Sequence, residues 1–369
     1  MENLSRRNFI KNTSFGLLSV TLLNPFGKLF ASNKKKIFPT WNELIDFARW
    51  CPTVHNLQPH LVKIISETEA ELHYNPTKLL PVGDSQSIFA TVAMGIFIEN
   101  LSIASSIYGK KVVIIETQKP INANATAITL FAKLKIEDCN VTETLNRNLI
   151  LKRKTSRLHY DGNPISPSTL HQLKKQTEEF GHEFFSTSDE NFIKSIIKMN
   201  QETLFEDLES EPMRNELDKL FRYNKEEAEI KKDGLWAKCM GFSGSLMKSV
   251  FTNHEKWTKG IRRSLLSNNY KNSFKGTSTV CWFGGDFENT DHWLRAGKMF
   301  ARNWLLLTQE NAYLQPFGSL ITNENAYKQI NVMFTQPTNN KKIWMIFRAG
   351  YSNEPSRSFR LSTDEIIIK

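Results

Sequence analysis

Residues 89–108 read FATVAMGIFIENLSIASSIY, a run in which Glu99 is the only charged residue. At helical spacing this segment is apolar on nearly every side, and such a helix has to be buried. The chain must therefore build a core around it. A second apolar helical run occupies residues 293–311. The two can be laid over one another, Glu99-Asn100-Leu101-Ser102-Ile103-Ala104 on Arg302-Asn303-Trp304-Leu305-Leu306-Leu307, an offset of 203 residues, with Gly95 and Gly297 leading in. An internal repeat would account for two such helices in one polypeptide.

The chain has 369 residues. That exceeds the ~250–300 at which single cores tend to split, so two globular units or one double-sized unit are expected. Hydrophobic residues make up 40% of it, enough for a large core and unlike a disordered chain. Cys51, Cys139, Cys239 and Cys281 lie far apart with no C-x-x-C pair, and read as individual thiols. The net charge of +10 suits anionic ligands or acidic surfaces. Nucleic acid is not an expected partner, because Lys and Arg follow no RNP, zinc-finger or basic-zipper pattern. There is no Gly-x-Gly-x-x-Gly to cradle a dinucleotide and no Gly-x-Ser-x-Gly to present a serine nucleophile. His55, His60 and His73 lack metal-ligand spacing, so no metal site is expected.

Ser5-Arg6-Arg7-Asn8-Phe9-Ile10-Lys11 matches the twin-arginine export pattern, and residues 15–23 add a short apolar stretch before Pro25. That stretch is below the ~18 residues that span a bilayer, so a transmembrane anchor is not expected. Leu29-Phe30-Ala31 is only a partial cleavage signal, which leaves removal after Ala31 and retention as a membrane tether both open. Residues 1–35 are thus expected to be signal and linker for export by the twin-arginine machinery, with a periplasmic or outer-surface destination.

Beyond the signal, residues 41–50 carry the apolar stripe of a first helix, and prolines at 52 and 59 bound a loop. Strands are expected at 61–65, 70–74 and 111–116, with the buried helix of 89–108 before the last of them. A second start follows near residue 146. A helix is expected from 147 running into a loop by 157, an amphipathic helix at 166–180, and strands at 183–185, 277–283 and 343–349. Residues 186–275 are helical, charged and aromatic with no counterpart of similar length earlier, and read as an insert or lid.

Two motifs narrow the choice of family. Ala48-Arg49-Trp50-Cys51-Pro52-Thr53-Val54-His55-Asn56-Leu57-Gln58-Pro59 resembles the nitroreductase signature in which a helix ends at Ala-Pro-Ser and continues to Asn-x-Gln-Pro. Cys51, Thr53 and His60 depart from it, where Ala, Ser and Trp are usual. Arg153-Lys154-Thr155-Ser156-Arg157, followed by Tyr160 and Pro164, is similar to the Arg-x-Ser-x-Arg run that wraps the FMN phosphate in that family. Ordinary nitroreductases place the arginine run first, whereas here it comes about a hundred residues after the other motif.

That reversed order, with Leu80-Pro81-Val82-Gly83-Asp84 and Trp293-Leu294-Arg295-Ala296-Gly297, resembles the Acg family of twin nitroreductase-like proteins. There, two diverged halves of one chain imitate a homodimer. The resemblance runs from about residue 41 to the carboxyl end and is weakest at 186–275. It implies an α+β nitroreductase fold with a mixed sheet and long central buried helices. The halves would be residues 36–145 and 146–369, forming a monomeric pseudo-dimer. With one copy of each motif, one FMN per chain follows.

The resemblance also implies roles for residues. An FMN phosphate is a doubly charged acceptor suited to arginine forks and a hydroxyl, which Arg153, Thr155 and Arg157 supply. Arg360, in preference to Arg357, is expected to add a charge from near the carboxyl end. Arg49, Pro52, Thr53, Val54, His55, Asn56 and Gln58 are expected around the isoalloxazine, where polar groups favour the reduced anion. Gln315 and Gly318 are expected near its reactive side. The chemistry would be the flavin's own, so no catalytic side chain is assigned. The implied activity is hydride transfer through flavin N5 to an electron-poor nitroaromatic or quinone-like substrate, although fold does not fix substrate. The other reading is an FMN-binding or sequestering protein with little turnover, its insert covering the face where a nicotinamide stacks. NAD(P)H is a cytoplasmic donor, so a membrane-associated donor or storage fits an exported protein better.

Overall fold

In the computed structural model Thr40 starts the first helix, its hydroxyl accepting from the Glu43 amide at 3.2 Å. Helix α1 (Trp41–Ala48) then buries Trp41, Leu44, Ile45 and Ala48 on one face, as the stripe in its sequence requires. The structure describes residues 38–117, 120–334 and 341–369. The chain divides into two units, Met1–Phe38 and Pro39–Lys369. Of the first, only Phe38 is described, so the expected export segment lies outside the described residues.

In chain order the second unit continues with β1 (His60–Ile64), β2 (Glu69–Tyr74), α2 (Ile88–Ser105), β3 (Lys110–Thr117), β4 (Thr129–Asp138), α3 (Asn148–Lys152), α4 (Pro167–Glu178) and β5 (Glu183–Thr187). An insert follows: α5 (Glu190–Glu209), α6 (Glu211–Leu220), β6 (Phe221–Arg222), α7 (Lys225–Lys231), β7 (Leu235–Trp236), α8 (Ala237–Met240), α9 (Gly244–Thr252), α10 (His254–Trp257) and α11 (Gly260–Ser273). The chain ends with β8 (Thr279–Gly285), α12 (Thr290–Gln309), β9 (Tyr313–Pro316), α13 (Ser319–Thr322), α14 (Glu324–Met333), β10 (Lys342–Gly350), α15 (Thr363–Ile366) and β11 (Ile367–Ile368). The architecture is α+β. Strands β4, β9 and β11 and helix α14 were not anticipated from the sequence. Pro316 hid β9, yet β9 is an edge strand, where a residue without an N–H is tolerated.

Two larger sheets organise the fold. One has the order β11-β1-β2-β4-β3 and the other β5-β8-β10-β9. Setting β11 aside, both run first, second, fourth, third along the sheet, with every neighbouring pair antiparallel and a long helix between the second and third strands. β11 makes the first sheet mixed, since it pairs parallel to β1 with Val62 opposite Ile367.

Helix α2 has the length and apolarity of a membrane span, but its side chains are mostly buried within the protein. The Asp84 carboxylate fixes its start, accepting from the Phe89 and Ala90 amides at 3.2 and 2.9 Å. Its main partner is α12. A Cβ on Gly95 would lie 2.3 Å from Leu294 O, and one on Gly297 would lie 2.1 Å from Val92 O. The helices therefore touch backbone to backbone, and the contact is reciprocal, with 92 and 95 answering to 294 and 297. This places the register at 202 residues, one away from the 203 that aligns Asn100 with Asn303.

The insert holds a separate apolar cluster that includes Phe205, Phe221, Met247, Val250 and Phe251. It is also fastened to the first sheet's side of the protein. The Glu216 carboxylate accepts from the Val82 and Gly83 amides at 2.9 and 2.8 Å. Asp233, 6% exposed, pairs with Lys78 and, at 2.6 Å, with Arg222. Past β10 the chain runs back across the protein to α15 and β11, and this carboxyl-terminal arm passes the two motif loops.

Candidate functional site

The loop after α1 is held in a demanding backbone conformation. His55, Asn56 and Gln58 have φ of 48°, 60° and 55°, the left-handed region that residues other than glycine enter rarely and that clusters at functional sites. Side chains hold the loop in shape. The Thr53 hydroxyl accepts from Gln58 N at 3.0 Å. The Gln58 amide donates to Asn56 O and, in the insert, to Lys232 O at 2.8 Å, while its oxygen accepts from Leu361 N at 2.9 Å. Gln58 is 1% exposed and acts as a clasp between loop, insert and arm. The Asn56 amide donates to Phe359 O at 3.1 Å, and its oxygen accepts from Arg360.

The arginine run follows α3 and threads beside the second sheet, where Thr155 bridges to Leu314. Ser156, fully buried, meets the Ser352 hydroxyl at 2.7 Å. Arg153 donates to Trp50 O at 2.9 Å, and its guanidinium lies 4.6 Å from the centre of the Trp304 ring. One run thus spans the end of α1 and the face of α12.

These segments meet at a cleft of about 140 Å³ that opens to solvent. Pro52, Thr53, His55 and Asn56 come from the first loop, Arg153, Thr155 and Arg157 from the arginine run, and Arg357 and Arg360 from the arm. The insert closes the cleft with Leu235, Trp236, Cys239 and Met240. Arg49, Val54, Gln58, Gln315 and Gly318 do not line it. Arg49 instead binds Asp46 and Leu361 O. Val54 borders a small neighbouring pocket with Leu80 and Asp84. Gln315 accepts from Arg348, and Gly318 precedes α13 with open space around its α-carbon.

The electrostatics of the cleft are one-sided. Among the described residues no Asp or Glu lines it. Burial lowers the pKa of Arg153 well below the usual arginine range, and repulsion from Arg360 and Arg357 lowers it further. Burial brings Arg357 and Arg360 down to about 10 and also lowers Arg157. Arg153 Nε and Arg357 Nη2 are buried without an acceptor among the described residues. A buried donor left unpaired costs about 1–3 kcal/mol, and more when charged. Burial, with help from Arg157, lowers His55 to about 4, so it is neutral near pH 7. Among the described residues no group of three His, Cys, Asp or Glu is placed to hold a metal.

Sequence reading missed Trp236, Cys239 and Met240, which belong to no motif and lie more than 175 residues from the Pro52 loop they face. It also ranked Arg357 second, yet that guanidinium lies in the cleft, 3.7 Å from the centre of the Trp50 ring.

No protein-family model and no curated protein matches the chain. Its structural neighbours are nitroreductase-like. A nitroreductase-like family protein from Bacillus cereus is 13% identical, with 59% of this chain and 90% of that one covered at a TM-score of 0.32. The FMN-dependent nitroreductase NfnB from Mycobacterium smegmatis, solved with NADPH, is 12% identical over 56% and 86% at 0.31. An FMN- and NADPH-dependent NfnB from sphigopyxis sp. strain HMH is 12% identical over 60% and 97% at 0.34. Superpositions this loose carry no argument about the site, which stands on its own residues.

Proposed function

We propose that the cleft binds one FMN and that the protein is a nitroreductase-like flavin oxidoreductase acting on an electron-poor aromatic or quinone-like substrate. The observation that carries this reading is the set of four arginines around a cleft with no carboxylate, facing a wall that contains Trp236. A dianionic phosphate would satisfy the orphaned donors of Arg153 and Arg357, with Arg157, Arg360 and the Thr155 hydroxyl beside them. A flat aromatic body would lie between the Pro52–Asn56 side and the insert. When bound, FMN supplies hydride transfer at N5. The chain's own part is to hold the phosphate, present Asn56 from a rigid loop and keep water out with the insert.

A second reading has support in one observation. Insert residues 232–240 are clasped by Gln58 at Lys232 and by Lys78 at Asp233, and they close the cleft. That arrangement suits a protein that retains flavin with little turnover. Export by the twin-arginine route belongs to the proposal on the strength of Ser5 to Lys11 alone.

We infer further that residues 36–145 and 146–369 are diverged halves of a pseudo-dimer. Both sheets repeat one strand order around a central helix. The helices also meet through reciprocal glycine contacts, the pattern a two-fold axis generates.

Purification tests the binding. The expected product is yellow and releases one FMN per chain, and Arg153→Ala with Arg157→Ala loses it while keeping the parent's circular dichroism. A colourless protein that FMN cannot reconstitute would overturn the proposal. Anaerobic bleaching by NAD(P)H distinguishes reductase from reservoir.

A further inference from the structure

The flavin reading leaves the basicity of the insert's far end unused. Residues 248–275 contain seven Lys and Arg against the single Glu255, a net +6 in a chain whose total is +10. Arg263 is spent on Glu209 at 3.3 Å and on the ring of Phe205. Lys256, Lys259 and Arg262 are exposed, and none has a carboxylate partner among the described residues.

Helix α11 adds an apolar element to that charge. Its inner face is fixed by buried Leu266 and by Tyr270, which packs edge-on to Phe274. On the opposite face Ile261 is 82% exposed and Leu265 53% exposed. They stand four positions apart, hence one above the other. No core function accounts for this outward pair, since the helix is already anchored by its other side.

We propose that Ile261 and Leu265, with the exposed cations Lys256, Lys259 and Arg262 of the same stretch, dock the protein on an anionic lipid surface. Cations near such a surface gain from the negative potential of the headgroups. Apolar side chains on the same helix reach the boundary of the acyl region. Duplex nucleic acid would use the cations but has no place for two projecting aliphatic side chains. None of these five patch residues lines the cleft.

The test is co-sedimentation of the full chain with vesicles of phosphatidylcholine alone or mixed with phosphatidylglycerol. Lys256→Gln/Lys259→Gln/Arg262→Gln and Ile261→Ser/Leu265→Ser serve as variants. Residues 1–35 are common to all three proteins, so differences between them report the patch. The parent is expected to bind the mixed vesicles but not the neutral ones, and to be released from the mixed ones as salt is raised. Loss of three cations should weaken partitioning on the order of a hundredfold, and loss of the two apolar side chains about tenfold. All the changed residues are exposed, and unchanged circular dichroism would verify the fold. Equal binding to both vesicle types, no binding to either, or variants that bind like the parent would each overturn the proposal. So would retention by duplex DNA in preference to mixed vesicles.

Discussion

Arg348 Nε donates to Gln315 Oε1 at 2.8 Å, and the other side of the same guanidinium donates to Leu158 O at 3.0 Å. Arg348 is fully buried, lies 4.1 Å from the centre of the Tyr160 ring, and bonds Thr277 as well. It therefore ties the chain just past the arginine run to β9 and to the end of the insert. Arg348→Met should remove the donor to five acceptors, Gln315 Oε1, Thr277 Oγ1 and the Ser156, Leu158 and Ser273 carbonyls. The expected result is a loss of about 3–5 kcal/mol in stability, read by thermal melting, together with weaker FMN retention at temperatures where the variant is still folded.

Phosphate itself should act on the flavin-free protein. Four arginines without a counter-anion are relieved by any dianion that fits between them. Inorganic phosphate at a hundred times its Kd stabilises by about 2.7 kcal/mol. The expected rise in Tm is about 2–4 °C per kcal/mol for a domain of larger size, and Arg153→Ala/Arg157→Ala should abolish it.

The helix crossing predicts a sharp contrast between two glycines. Gly297→Ala would place a Cβ 2.1 Å from Val92 O, backbone that cannot step aside. A loss of about 2–4 kcal/mol is expected from overpacking of this kind. Gly318→Ala meets nothing within 4 Å and should leave the melting temperature nearly unchanged.

Asp233 fastens the insert. Burial alone would raise its pKa, but Lys78 and Arg222 outweigh that and hold the carboxyl below its ordinary value. A depressed carboxyl stabilises above its unfolded pKa and loses that contribution as pH falls through the folded one. Asp233→Asn should therefore loosen the insert at neutral pH. Faster limited proteolysis between residues 232 and 241 and faster FMN release are the expected readouts.

Asp207 behaves in the opposite sense. Burial raises it from 3.8 to about 6, only partly offset by Asn323 and Ser319. The folded protein then keeps a proton that the unfolded chain releases, so stability falls as pH rises from about 4 to about 6 and is level above. Asp207→Asn should flatten that slope and add roughly 1–3 kcal/mol at pH 7, measured by urea denaturation across the pH range.

What could be read in advance followed from local physics. The apolar run of α2 and the stripe of α1 dictate buried helices, and the Pro52 and Arg153 motifs announce polar loops; the structure brings these loops to one cleft. The cleft's third wall had no such signature. Trp236 and Met240 reach it through an insert whose route is set by Asp233 and Glu216, contacts that join residues more than 130 positions apart. Gln315 illustrates a different difficulty. Its place on β9, opposite Arg348, was readable only from pairing in the second sheet, and its side chain is engaged by Arg348, a residue that sequence presents as one more strand cation.

The carboxyl-terminal arm carries a consequence of timing. Arg357 and Arg360 complete the cleft, and Asn56 meets Arg360 across 304 positions of sequence. Contacts of such span are slow to form, because a long loop must close before they reward it. On a ribosome, the Pro52 loop and the arginine run would be in place well before the arm emerges. The pocket therefore matures only after the arm has emerged, because a nascent chain that lacks it is missing two of the four cleft arginines.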